Sequence, residues 1–168
     1  MRPKINILSV KALYLFPIEQ AERAAVIVCS SYRIKEEKLS YLPNLLTMNF
    51  DDTINADNPR AFSPAHAKQV RLFIDGLDSD ITDLYICCDR GESRSTALAA
   101  AIMRYYRMDE TPMWTNPHYH PNALVYRLQC AAFKKIVTGI GLRYRLWCNK
   151  IILRLTIRAA RKQKTVEF

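Results

Sequence analysis

The chain has 168 residues, 49% of them hydrophobic, with only four glycines and a formal net charge of +9. That length fits one domain with a full core, and the composition excludes a disordered or fibrous chain. No stretch approaches the run of about eighteen uncharged apolar residues that a membrane span needs, and the apolar segment at 12–18 has no cleavage site, so no signal peptide is expected.

In chain order, residues 5–10 read as a first strand, and Pro17 opens a short helix over 17–23. The apolar run at 24–30, with Val26, Ile27, Val28 and Cys29, predicts a central buried strand. Residues 34–42 are charged and read as a loop or irregular helix. A further strand at 45–50 ends on Asp51 and Asp52, and Asn, Asp and Pro make 53–62 a loop. Ser63 caps and Pro64 opens a helix that carries Val70, Phe73, Ile74 and Leu77 on one face. Residues 84–87 form a strand, and 95–107 form the helix behind it, where Ala97, Ala99, Ala100 and Ala101 allow close packing. The three prolines of 109–121 mark a loop, and Asn122 caps a helix over 123–133. Strands alternating with helices predict an α/β fold, a mostly parallel sheet of about four to five strands flanked by helices.

The charge is unevenly placed. Residues 139–168 hold eight Lys or Arg and one Glu, a net +7, whereas residues 1–138 carry +2. The chain therefore divides into a body, 1–138, and a basic C-terminal helix, 139–168. Leu142, Leu146, Leu153, Ile157 and Ala160 follow helical spacing, and Arg143, Lys150, Arg154, Arg158 and Arg161 form a second stripe. Ile151, Ile152 and Trp147 widen the apolar face. Such a helix either docks on the body with a solvated basic face or binds an anionic membrane surface, nucleic acid or an acidic partner. Five cysteines, an odd number without scaffold spacing, fit a reducing cytoplasm.

The chemistry lies in Cys88-Asp89-Arg90-Gly91-Glu92-Ser93-Arg94-Ser95. A strand, a tight loop and a helix start fall in order here. Backbone N–H groups and the positive helix end then point at one spot, which suits a phosphate dianion. A thiol on the loop's first residue sits beneath that anion, and the same field favours its thiolate. Arg94 offers a planar fork for two phosphate oxygens. The expected phosphate-binding set is Asp89, Arg90, Gly91, Glu92, Ser93 and Arg94, with Cys88 as nucleophile. The plainer reading is a buried strand cysteine followed by surface charges, and it leaves half of the motif idle.

A phosphocysteine route needs an acid for the leaving oxygen and then a base for water. Asp51, Asp52 and Asp57 are the candidates, and a turn cap is the plainer role for the acidic pair. Cys87 alternates with Cys88, so the two side chains point to opposite faces, and Cys87 reads as a core thiol. His66 belongs to packing or surface, and His118 and His120 flank a loop that can rim the pocket. No Cys or His spacing suggests zinc, and cysteine-based phosphate chemistry requires no metal or cofactor.

Residues 88–95 resemble the signature loop of the cysteine-based protein tyrosine and dual-specificity phosphatases. The wider pattern is similar to a small bacterial and phage-type group of predicted protein tyrosine phosphatases. Its echoes are Met48-Asn49-Phe50-Asp51-Asp52, Phe62-Ser63-Pro64-Ala65-His66-Ala67 and Pro121-Asn122, and the resemblance covers about residues 24–133. It implies a phosphatase-like fold, Cys88 and Arg94 as nucleophile and clamp, and Ser95 as hydrogen-bond donor to the departing thiolate. It also implies Asp52 as acid and then base, with Asp51 second and Asp57 third. Two departures from the family stand out. Cys87 stands where a histidine usually helps set the thiolate pKa, and Arg90 and Glu92 stand where small or apolar residues are common. Glu92 is expected to face solvent or pair with Arg90.

The expected substrate is a phosphorylated protein or a small phosphoester. Two other readings stay open. One is a phosphate-binding module without turnover, which Cys87 and Glu92 favour. The other is a phosphatase of RNA ends, nucleotides or inositol phosphates, which the basic helix suggests.

Overall fold

The computed structural model describes residues 2–164, with side chains as far as residue 159. Four strands, β1 (Lys4–Ser9), β2 (Ala24–Ser30), β3 (Asn44–Asn49) and β4 (Asp83–Cys88), pair in parallel in the order β1-β4-β2-β3. Every residue of β2 is buried. An apolar run without alternation suits a strand that is covered on both faces.

Alternating side chains of β2 and β4 feed two cores. Ala25, Ile27, Cys29, Leu84, Ile86 and Cys88 face the larger one. It is covered by α2 (Pro64–Asp75), α3 (Arg94–Tyr105) and α5 (Ala123–Ala132). Ala24, Val26, Val28 and Cys87 face the other, with Leu39, Leu42 and Leu13 of α1 (Val10–Leu15). The alanines at 97 and 99–101 are fully buried, and their small side chains let α3 approach β1, β4 and α5 closely. Helix α2 starts on a capping box: Ser63 Oγ accepts from the His66 amide, and His66 Nδ1 accepts from the Ser63 amide at 3.1 Å. The His66 ring packs on Phe50 and Phe62, and burial lowers its pKa.

Three elements differ from the sequence expectation. The helix expected over 17–23 is only a 3-10 turn, Ala21–Arg23, because Gln20 takes a left-handed conformation (φ 51°) that stops a longer helix. The helix forms earlier, as α1, where Ser9 Oγ accepts from the Ala12 amide at 3.1 Å. The 109–121 loop contains α4 (Thr111–Thr115), with Pro112 in its first turn and Met113 and Trp114 buried.

The C-terminal helix, α6 (Gly139–Lys164), starts where the basic piece begins but shares the body's core. Leu142 and Leu146 pack against the larger core. Asn149 is buried and donates to the Trp114 and Tyr119 carbonyls at 3.1 and 2.7 Å. Arg145 reaches Glu110 at 2.9 Å, a carboxylate also held by Arg104 and Tyr126. Residues 154–159 are exposed. Ala160 and Arg161 of the two stripes lie outside the described side chains. Among the described residues no helix is long and apolar enough to cross a membrane.

Candidate active site

Cys88 is the last residue of β4, and α3 begins at Arg94, so the turn between strand and helix is five residues long. Gly91 makes that turn possible. It holds φ +75°, and a Cβ there would sit 3.0 Å from the Leu8 backbone, so only glycine fits. The loop closes over the sulfur. Ser95 Oγ lies 3.1 Å from Cys88 Sγ, and the amides of Ser95, Ser93 and Gly91 also donate to it. Burial pulls the Cys88 pKa up, but these hydrogen bonds outweigh it and hold the thiol below its ordinary value. The end of β4 therefore holds a sulfur whose charged form is favoured by a nest of donors.

Arg94 is only 3% exposed, and its surroundings fix the guanidinium. Nη1 donates to the Phe50 carbonyl at 2.7 Å and to Ser31 Oγ at 3.0 Å, and Nη2 pairs with Asp89 Oδ2. Its Nε–H is buried and meets no acceptor among the described residues. Asp89 is locked in turn: Ser30 Oγ donates to Oδ1 at 2.6 Å, and the Ser31 amide donates to Oδ2 at 3.2 Å. Burial raises the Asp89 pKa, but the Ser30 hydroxyl, Arg94 and the Ser31 amide hold it below the usual carboxylate range. The Asp89 side chain thus supports Arg94, which leaves only its amide for an anion.

The three candidate acids separate clearly. Asp52 lines the cleft above the loop, where its Oδ1 accepts from Ser93 Oγ at 2.9 Å and from Asn122 Nδ2 at 2.8 Å. Its Oδ2 takes no hydrogen bond from the described residues. Asp51 pairs with Arg60 at 3.0 Å, and Asp57 lies beside a separate surface depression. Asn122 does two jobs. Its Oδ1 caps α5 through the Leu124 and Val125 amides, and its Nδ2 ties Asp52 and the Thr53 carbonyl to the site. Glu92 pairs with Arg90 at 3.2 Å, and its carbonyl accepts from the His120 amide.

These groups bound a cleft of about 910 Å³. It is lined by Cys88 and the loop, by Tyr32, Ile54 and Pro121 and, from α6, by Leu146 and Lys150. A neighbouring polar cleft of about 750 Å³ shares Ser31 but holds none of the other site residues. The sequence reading missed Ser30, Ser31, Tyr32, Leu146 and Lys150. A signal existed for the first three: they end or follow the strand beside β4, and the carboxyl edge of a parallel sheet is where ligands bind. The α6 pair carried none, because nothing in the helix tells which loop it packs beside. No protein-family model and no curated protein matches the chain.

Proposed function

We propose that the chain is a cysteine-dependent phosphomonoester hydrolase of the protein tyrosine or dual-specificity type, acting on a phosphorylated protein or small phosphoester. The observation that supports it most is the buried Cys88 sulfur, held by amide and hydroxyl donors in the cleft that Arg94 also lines. A buried sulfur surrounded by donors gains nothing as a structural thiol and is activated as a nucleophile. The unpaired Nε–H of Arg94 adds to this, since an orphaned buried donor costs about 1–3 kcal/mol until an acceptor such as a phosphate oxygen arrives.

In this reading the Cys88 thiolate attacks phosphorus, and the phosphorus–oxygen bond of the ester breaks. The loop amides and Arg94 hold the equatorial oxygens as their charge rises. Asp52 gives its proton from Oδ2 to the leaving oxygen. As a carboxylate it then takes a proton from water, whose oxygen attacks the phosphocysteine. The sulfur–phosphorus bond breaks, inorganic phosphate departs, and Ser95 Oγ donates to the returning thiolate. The walls of Tyr32, Ile54, Pro121 and Leu146 suit an aromatic leaving group, which favours phosphotyrosine over smaller esters.

The test is turnover of an aryl phosphate by the wild type and by Cys88→Ser. The wild type is expected to turn over, and the variant to lose at least about a thousandfold while still binding vanadate. Vanadate binding without turnover in the wild type would instead make the chain a phosphate-binding module.

A further inference from the structure

Helix α6 has two apolar faces, and only one is used. Leu142, Leu146 and Asn149 turn toward the body. Ile140, Tyr144, Trp147, Ile151 and Leu155 recur at the spacing of a second stripe, on the opposite side of the helix. Four of the five are exposed, Ile140 at 85%, Tyr144 at 64%, and Trp147 and Leu155 at 57% each, and Ile151 between them is half-buried. The Tyr144 and Trp147 rings stack with centroids 6.1 Å apart, and with Ile140 and Arg143 they bound a shallow groove of about 390 Å³. Arg143, Lys150 and Arg154 run along one edge of the stripe, Arg158 lies at its end, and no acidic residue occurs from 139 to 164.

We infer that this outward face of α6 seats on an anionic lipid bilayer. Tyrosine and tryptophan belong at the headgroup level, where the ring is buried and the polar edge stays wet. Isoleucine and leucine enter the acyl boundary, and the arginines meet lipid phosphates and carboxylates. The alternatives fit less well. A second copy would bring two faces of the same positive sign together. A nucleic-acid backbone would satisfy the arginines but bury neither Ile140 nor Leu155.

The face is held outward by the docked side of the same helix, through Asn149 and the Arg145–Glu110 pair. Leu146 and Lys150 of the same helix also line the cleft that contains Cys88, so α6 carries both the outward face and part of that cleft. The binding itself does not depend on turnover.

The experiment is sedimentation of the full chain with vesicles of phosphatidylcholine, alone or with about one third phosphatidylserine. Binding is expected only with phosphatidylserine, and it should fade as salt rises from about 0.1 to about 0.5 M. Trp147→Glu with Leu155→Glu should weaken it at least about tenfold at unchanged circular dichroism. Arg154→Gln should weaken it about fivefold. Leu72→Glu, on an equally exposed leucine of α2, should leave it unaltered. Equal binding to neutral vesicles, or a double variant that binds like the wild type, overturns the inference. So does a chain that ignores vesicles but forms a dimer in light scattering that the double variant dissolves. Retained binding by a chain without phosphatase activity would leave this inference standing and remove the proposed function alone.

Discussion

The last two residues of β4 are both cysteines, and the two faces of the sheet treat them in opposite ways. Cys87 points into the smaller core, and burial, followed by the charge of Cys88, pushes its pKa up to about 12. Cys88 is also buried, yet its pKa is lowered. Cys29 separates face from loop as the cause. It is the register partner of Cys88 on β2 and joins the same larger core, and burial raises it well above its ordinary value. Three neighbouring thiols in one sheet therefore divide by a single property, the presence of donors aimed at the sulfur. Burial alone raises Cys29 and Cys87; at Cys88 the hydrogen bonds from Ser95, Ser93 and Gly91 outweigh it.

The comparison breaks most completely at Arg94. Arg94→Lys should lower kcat/KM on an aryl phosphate at least about a hundredfold, because a point charge cannot replace the fork. The same variant cannot reproduce contacts to Ser31, the Phe50 carbonyl and Asp89 together. Protection of Cys88 from alkylation by phosphate should also weaken. An activity loss with full protection would mean that the guanidinium acts only as scaffold. A smaller loss is expected for Asp52→Asn, about a hundredfold with poor leaving groups and under about tenfold with good ones. An even loss across both ester classes would assign Asp52 to holding Ser93 and Asn122 in place.

What the sequence disclosed followed its range. The strand, loop and helix around Cys88 lie within one continuous stretch, so local pattern reveals them. The strand period of two likewise separates Cys87 from Cys88. Contacts across distance were not legible. Asp89 reads as an anion-binding loop residue until β2 brings Ser30 and Ser31 beside it, 59 and 58 residues away in the chain. The tie between Asp52 and Asn122 spans 70 residues, and neither residue announces the other. Helix α6 shows the same limit. Its spacing predicts stripes, but only the packing of Asn149 beneath Trp114 and Tyr119 decides which stripe is inside.

Ser95 offers a finer test of the donor argument. Its hydroxyl and amide are the foremost of the hydrogen bonds that lower the Cys88 pKa. Removing the hydroxyl stabilises the thiol relative to the thiolate, so the pKa rises. Below that pKa the sulfur is protonated and cannot attack. The acid limb of the kcat/KM profile for Ser95→Ala should therefore move to higher pH. The loss should be larger at about pH 5.5 than at about pH 8. A profile that drops without moving would show that Ser95 serves the departing thiolate and does not set the resting one.

The smallest effect is expected one residue before Cys88, the proposed nucleophile. Cys87 sits where the resembling phosphatases carry a histidine, yet its side chain lies among Leu13, Val26 and Val28, on the face away from the loop. Cys87→Ala removes one sulfur from a packed core. It should cost about 1 kcal/mol of stability, a cost of the size seen when a core side chain is shortened. It removes none of the donors that lower the Cys88 pKa, which come from Gly91, Ser93 and Ser95. Turnover and the acid limb should stay within about twofold of the wild type, while the melting temperature falls by a few degrees, about 2–4 °C. Alkylation read by mass spectrometry should mark Cys88 and spare Cys87 at neutral pH in the wild type. A shifted acid limb in Cys87→Ala would mean that the smaller core reaches the thiolate through the β4 backbone. The two faces would then not be independent, and the residue before the nucleophile would tune it whichever way its side chain points.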